Sequence, residues 1–180
     1  VSVGPPRSLR EAWTGAPLPA VVVPDAVSVE RARALRERFS SAGFRRFALL
    51  DRGSFDVLVD VPDAELLDVV AGVASAVSGR ALAVGEARVL RLRPGDYVLL
   101  RNDRAHEDRP VEAVLDLSER AVARAEVHYR HRGQVYFAFG GPPGALALVE
   151  RGPTVLANHT YVTKRQENDV VRLVVLLRDG

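Results

Sequence analysis

The sequence contains no cysteine. Disulfide frameworks, iron–sulfur clusters, zinc–thiolate sites and cysteine nucleophiles are therefore excluded. Methionine is absent too, and aromatic residues make up only 6% of the chain. No apolar run reaches the length of a bilayer-spanning helix. Val1 to Pro6 carry neither the basic nor the apolar region of a secretion signal. The expectation is a soluble, cytoplasmic protein with no membrane partner. Lysine is nearly missing: 24 of the 25 basic residues are arginine, Lys164 being the exception. The arginines stand among acidic neighbours, as between Glu30 and Arg38, and the formal net charge is only +2. A nucleic-acid binder gathers basic residues on one face, often with aromatics between them. This pattern reads instead as a solvated, mixed-charge surface, and no nucleic-acid partner is expected.

What is present is an ordinary globular balance, 47% hydrophobic and 27% charged over 180 residues. That suffices for one domain with its own core. The first 20 residues hold Gly4, Pro5, Pro6, Gly15, Pro17 and Pro19 and read as an extended arm, pinned by Trp13. Residues 21–180 read as a single domain. Ala20 to Val23 is a short strand before Pro24. Ser28 is an N-cap with Glu30 in the first turn, and Ala32, Leu35 and Phe39 give a helix over 29–41. Strands over 44–50 and 54–60 flank Asp51-Arg52-Gly53. Pro62 suits a first helical position, and Leu66, Val69, Val70, Val73 and Val77 form an apolar helical stripe closed by Gly79. From residue 81 onward, short strands are predicted at 81–84, 86–92, 96–101, 111–117, 126–130, 134–139, 145–149, 154–157 and 171–177. Such spacing means a sandwich or barrel. Gly140 to Gly144 is bracketed by strands and reads as a turn, since a phosphate loop opens a helix. No Gly-x-Ser-x-Gly elbow occurs.

The most specific stretch is Leu90-Arg91-Leu92-Arg93-Pro94-Gly95-Asp96-Tyr97 through Arg101-Asn102-Asp103, then Arg109 and the strand from Val111 to Leu117. It resembles the prolyl-hydroxylase-like branch of the iron(II)/2-oxoglutarate oxygenases. That family shows Pro-Gly-Asp-aromatic, then His-x-Asp, then a basic residue and an apolar strand. Val21 to Asp25 with the following helix is similar to the family's opening. Thr154 to His159 and Arg172 to Leu177 are similar to its close. The resemblance implies an α+β chain, a double-stranded β-helix (a jelly-roll, cupin-like barrel) with the N-terminal helices packed on its outer sheet. It implies iron(II) and 2-oxoglutarate as cofactors, with Asp103 and His159 as metal ligands. Arg172 and Tyr97 would contact the co-substrate. The substrate would be an amino-acid side chain, a peptide or a small metabolite.

The sequence departs from the family at the first metal histidine, which falls on Arg101. A guanidinium does not ligate iron. Arg101 would instead pair with Asp103 and fill the vacated position. His106-Glu107-Asp108 also spells His-x-Asp, so His106 is the candidate replacement ligand, in a loop. The family's tyrosine before Gly95 falls on Leu92. His128 and His131, three apart on a strand, face opposite sides. A cupin-like alignment on Gly95, Arg101, Asp103 and Glu107 keeps the spacing without the residue types. Two functions thus stand side by side: an oxygenase with an atypical metal site, or a metal-free barrel serving as a ligand-binding or structural domain. In the second, Arg101 and Arg172 would form a cationic pocket for a carboxylate or phosphate.

Overall fold

The computed structural model describes residues 7–101 and 105–180, apart from the side chains of Arg7, Ala105 and His106. In chain order the elements are α1 (Arg7–Gly15), β1 (Ala20–Val23), α2 (Val29–Ser40), β2 (Arg45–Leu49), β3 (Gly53–Leu58), α3 (Ala64–Ser78), β4 (Leu82–Leu92) and β5 (Tyr97–Arg101). A single turn, α4 (Ala105–Asp108), precedes β6 (Val111–Asp116), β7 (Val127–His131), β8 (Gln134–Phe139), β9 (Leu146–Glu150), β10 (Val155–His159) and β11 (Val170–Asp179).

Helix boundaries follow from capping. The Ser28 hydroxyl accepts from the Arg31 amide at 3.2 Å and starts α2. The Asp63 carboxylate accepts from the Leu66 amide at 2.9 Å and starts α3. Pro62 therefore stands before the cap rather than at the first helical position. The opening segment also differs from expectation: residues 7–15 form a helix and not an extended arm. The glycines and prolines that suggested an arm all lie outside Arg7 to Thr14. Within that window Leu9 and Trp13 fall at i and i+4, on one helix face. Trp13, only 4% exposed, packs into the core shared with α3.

Every strand pair is antiparallel. The order is β1-β9-β6-β11-β4-β3-β5-β10-β7-β8, with β2 added on β3. Strand β3 turns the sheet over: Asp56 to Leu58 pair with β4, and Gly53 and Ser54 pair with β5. Gly53 has φ of 115°, and a Cβ there would collide with the Tyr97 carbonyl. The result is the nearly closed jelly-roll barrel expected of a double-stranded β-helix.

Two cores lie on the two faces of this sheet, separated by the period-2 alternation of strands. Val171, Leu173, Val175 and Leu177 of β11 join Leu35, Phe39, Leu66 and Val70 of the helices. Val170 and Val174 of the same strand join Val114, Val149, Leu90 and Tyr129 inside the barrel. Arg172 stands between those two valines and must point inward. The long strand β4 also joins what read as two strands, with a bulge opposite Leu176 and Leu177 at Gly85.

If α1 is an integral layer, Trp13→Ala removes a buried indole. Urea unfolding followed by circular dichroism should show a loss of about 3–5 kcal/mol. A loss below about 0.5 kcal/mol, the range of a surface substitution, would mean that α1 is not docked.

Candidate functional site

The interior face of β11 meets that of β6 with Arg172 directly opposite Asp116. The Arg172 guanidinium is 2% exposed, so its N–H donors need partners inside the barrel. Nε donates to Asp116 Oδ2 at 3.3 Å, Nη1 to His159 Nδ1 at 3.3 Å, and Nη2 to the Ala125 carbonyl. Asp116 Oδ1 also accepts from the Ser118 amide at 2.9 Å. Burial pushes the Asp116 carboxyl upward, and the Arg172 charge pulls it back. Burial likewise draws Arg172 down while Asp116 holds it up.

His159 is inside because Val155, Ala157 and His159 share the inner face of β10. Burial, then the charges of Arg172, Arg101 and Arg88, hold its imidazole well below the ordinary range. The ring is neutral at pH 7. A guanidinium has only donors, so Nδ1 must accept and the ring proton sits on Nε2. In that tautomer neither nitrogen has a lone pair left for a metal. A metal-bound histidine does the reverse, giving its second N–H to an acceptor.

Arg101 reaches the same interior through a bulge. Val98 pairs with His159 and Arg101 with Ala157, three steps along β5 against two along β10. Both side chains thereby face inward. Tyr97, the expected co-substrate contact, does not line the cavity that holds Arg101, where alternation gives the inner position to Val98; it lines a separate, more open pocket that His159 also borders. The Tyr97 ring centroid is 6.5 Å from that of Tyr161. The preceding Asp96 is structural: it takes Arg46 through two contacts of 2.6 and 2.7 Å, Ser54 at 2.9 Å and the Arg93 amide at 2.9 Å.

These strands enclose a cavity of about 70 Å³ lined by Glu86, Arg88, Arg101, Arg109, Glu112, Arg151 and His159, with apolar walls from Val98, Ala157, Val174 and Leu176. Four guanidiniums face two carboxylates. Glu112 is held by Arg151 and by the Tyr129 hydroxyl at 2.6 Å. Burial, then Glu112, raises the Tyr129 phenol well above its usual range, so it stays a donor. Glu86 accepts from Arg88 at 2.8 Å and Arg109 at 2.5 Å. Arg172 does not line this cavity.

Of the sequence-predicted residues, the structure brings Arg101, His159 and Arg172 together. Asp103 lies outside the described residues, as does the side chain of His106, whose backbone is in α4. His128 pairs with Glu126 at 2.8 Å and His131 with Thr154 at 2.9 Å, away from the cavity. Among the described residues no three His, Asp or Glu side chains group as a metal site. Among the described residues, the one interior imidazole accepts from Arg172, and four arginines and two glutamates line the cavity.

No family model matches the chain, and no curated protein sequence matches it. Solved structures do. A 2OG-Fe(II) oxygenase family oxidoreductase from Burkholderia pseudomallei superposes with a TM-score of 0.71 at 14% identity, over 88% of this chain and 85% of that one. This chain and that oxidoreductase share one barrel fold. A prolyl-4-hydroxylase from Pseudomonas putida gives 0.69 at 17% identity, over 96% and 99% of the two chains. EvdO2 from Micromonospora carbonacea var. aurantiaca, complexed with 2-oxoglutarate, gives 0.68 at 17% identity, over 100% and 93%. At these identities the likeness is one of fold.

The sequence reading of this barrel missed Glu86, Arg88, Glu112, Asp116 and Arg151. One signal was available. Glu112 and Asp116 are four apart in the apolar run Val111 to Leu117, so both fall on one face of a central strand. Charges there must find partners inside.

Asp116→Ala leaves a buried guanidinium without its counter-ion, and should cost about 3–5 kcal/mol in urea unfolding. Asp116→Leu combined with Arg172→Met should recover most of it. The His159 shift has a definite sign: the native ring resists protonation, while the unfolded ring takes a proton below its ordinary value of about 6.5. Wild-type stability is therefore fully present above that pH and falls on acidification, by up to about 1.4 kcal/mol per pH unit. His159→Gln should remove that slope between pH 7 and 5. Parallel stability profiles for the two proteins would contradict a buried neutral ring.

Proposed function

We propose that this barrel works without iron and 2-oxoglutarate, and holds a small anionic ligand, a carboxylate or a phosphate, in its cationic cavity. The observation that carries this reading is the His159–Arg172–Asp116 contact. Arg172 is where the resemblance expects the distal carboxylate of 2-oxoglutarate. Asp116, a carboxylate of the chain itself, already fills that role. The same arginine consumes the imidazole lone pair that a metal needs. Arg101 adds a fixed positive charge on the inner face of β5, next to His159, where the family's first histidine is expected. Guanidinium groups in a largely enclosed cavity favour a bound anion, through charge-assisted and often bidentate hydrogen bonds.

The fold itself favours a second reading, an iron(II)/2-oxoglutarate oxygenase acting on an amino-acid side chain, peptide or small metabolite. EvdO2, which shares the barrel, is complexed with 2-oxoglutarate. In this chain that reading requires Asp103 and His159 on the metal, with His106, water or substrate completing the set. It also requires Arg172 to release both of its side-chain partners.

Anaerobic titration with iron(II), with and without 2-oxoglutarate, separates the two. The expected result is no visible charge-transfer band in either case. Inorganic phosphate should instead raise the melting temperature, by mass action on the folded state. Arg101→Gln should weaken that effect severalfold. Tight iron binding that depends on 2-oxoglutarate would establish the oxygenase instead.

A further inference from the structure

We propose that Glu86 occupies the ligand's own seat: it is an internal anion that a small dianion, a tetrahedral oxyanion or a short dicarboxylate, displaces from Arg88 and Arg109. This rests on the reading of the cavity as an anion site and identifies where in it the ligand binds.

One carboxylate bridges two guanidiniums here. Glu86 Oε1 accepts from Arg88 Nη1 at 2.8 Å, and Oε2 from Arg109 Nη1 at 2.5 Å. That is the arrangement by which a pair of arginines clamps a carboxylate or phosphate. Glu86 uses it incompletely. The Nε–H groups of both Arg88 and Arg109 are buried and meet no acceptor among the described residues. Buried donors without acceptors are costly and call for an explanation. A ligand with more oxygens than a glutamate supplies it. Glu86 is also free to leave: its side chain is 41% exposed, against 22% for Arg88 and 31% for Arg109.

The backbone is shaped for this clamp. Gly85 lies at the β4 bulge, and the Arg109 stem crosses directly over it. A Cβ at Gly85 would stand 3.0 Å from Arg109 Cγ and Cδ and 3.2 Å from the Leu176 carbonyl. Glycine thus lets Arg109 lie flat across the strand and present its guanidinium to Glu86. Arg109 also lines an outer basin of about 760 Å³, with Arg80 and Arg178 and the acidic Glu107, Asp108 and Asp179. Arg109 thus borders both this basin and the inner cavity.

Isothermal calorimetry with inorganic phosphate and with succinate tests this on the wild type, Glu86→Gln and Gly85→Ala. Glutamine keeps the shape of Glu86 without its charge, so Glu86→Gln should bind about tenfold more tightly. Gly85→Ala displaces the Arg109 stem and should bind severalfold more weakly. The preferred probe tells a tetrahedral from a dicarboxylate ligand. Equal affinity in wild type and Glu86→Gln would overturn the displacement while leaving the cavity an anion site. Binding of neither probe by any of the three proteins would overturn the anion reading itself. Should Glu86→Gln fail to fold, unchanged affinity in Gly85→Ala overturns the clamp.

Discussion

A single buried guanidinium governs the interior of this barrel. Strand alternation places Arg172 between Val170 and Val174, where no water-exposed position is open to it. An arginine cannot give up its charge to ease burial, as a lysine does. The interior must therefore supply acceptors, and those present are Asp116, the Ala125 carbonyl and His159. The last of these has the largest chemical consequence. A donor aimed at Nδ1 sets the tautomer of His159, and the neighbouring arginines keep the ring neutral. A buried histidine is thereby turned into an acceptor for a structural arginine.

The same logic extends toward the mouth. Each interior carboxylate is matched to arginine: Asp116 to Arg172, Glu112 to Arg151, and Glu86 to both Arg88 and Arg109. The deepest of these pairs are sealed, and a buried pair is retained only when its geometry satisfies both partners. Glu86 differs in its exposure, and its two arginines keep buried donors in reserve. A gradient runs from a fixed ionic base to an exchangeable anion near solvent.

Much of the fold was legible because it rests on local rules. Ser28, Gly79 and the apolar stripes marked α2 and α3, and the strand pattern beyond residue 81 survives with small shifts of boundary. The errors were also local. Proline and glycine around α1 masked an uninterrupted helical window with Leu9 and Trp13 on one face. A glycine read as a strand break at Gly85 is a bulge inside β4. The site was legible only in part. His159, Arg172 and the odd Arg101 stood out through resemblance to a family pattern. The partner that redefines them, Asp116, is 56 positions from Arg172 and looked like one residue of an apolar strand. Long-range register decides such pairings, and no local periodicity encodes it.

The proton position on His159 is the most direct test of this account. Nitrogen-15 NMR of labelled protein at pH 7, with His159 assigned by comparison with His159→Gln, reads both ring nitrogens. The account expects a protonated Nε2 and an unprotonated, hydrogen-bonded Nδ1, unchanged when iron(II) is added without oxygen. A proton on Nδ1, with the Nε2 signal lost to paramagnetic broadening on adding iron(II), would contradict it and restore His159 as a metal ligand.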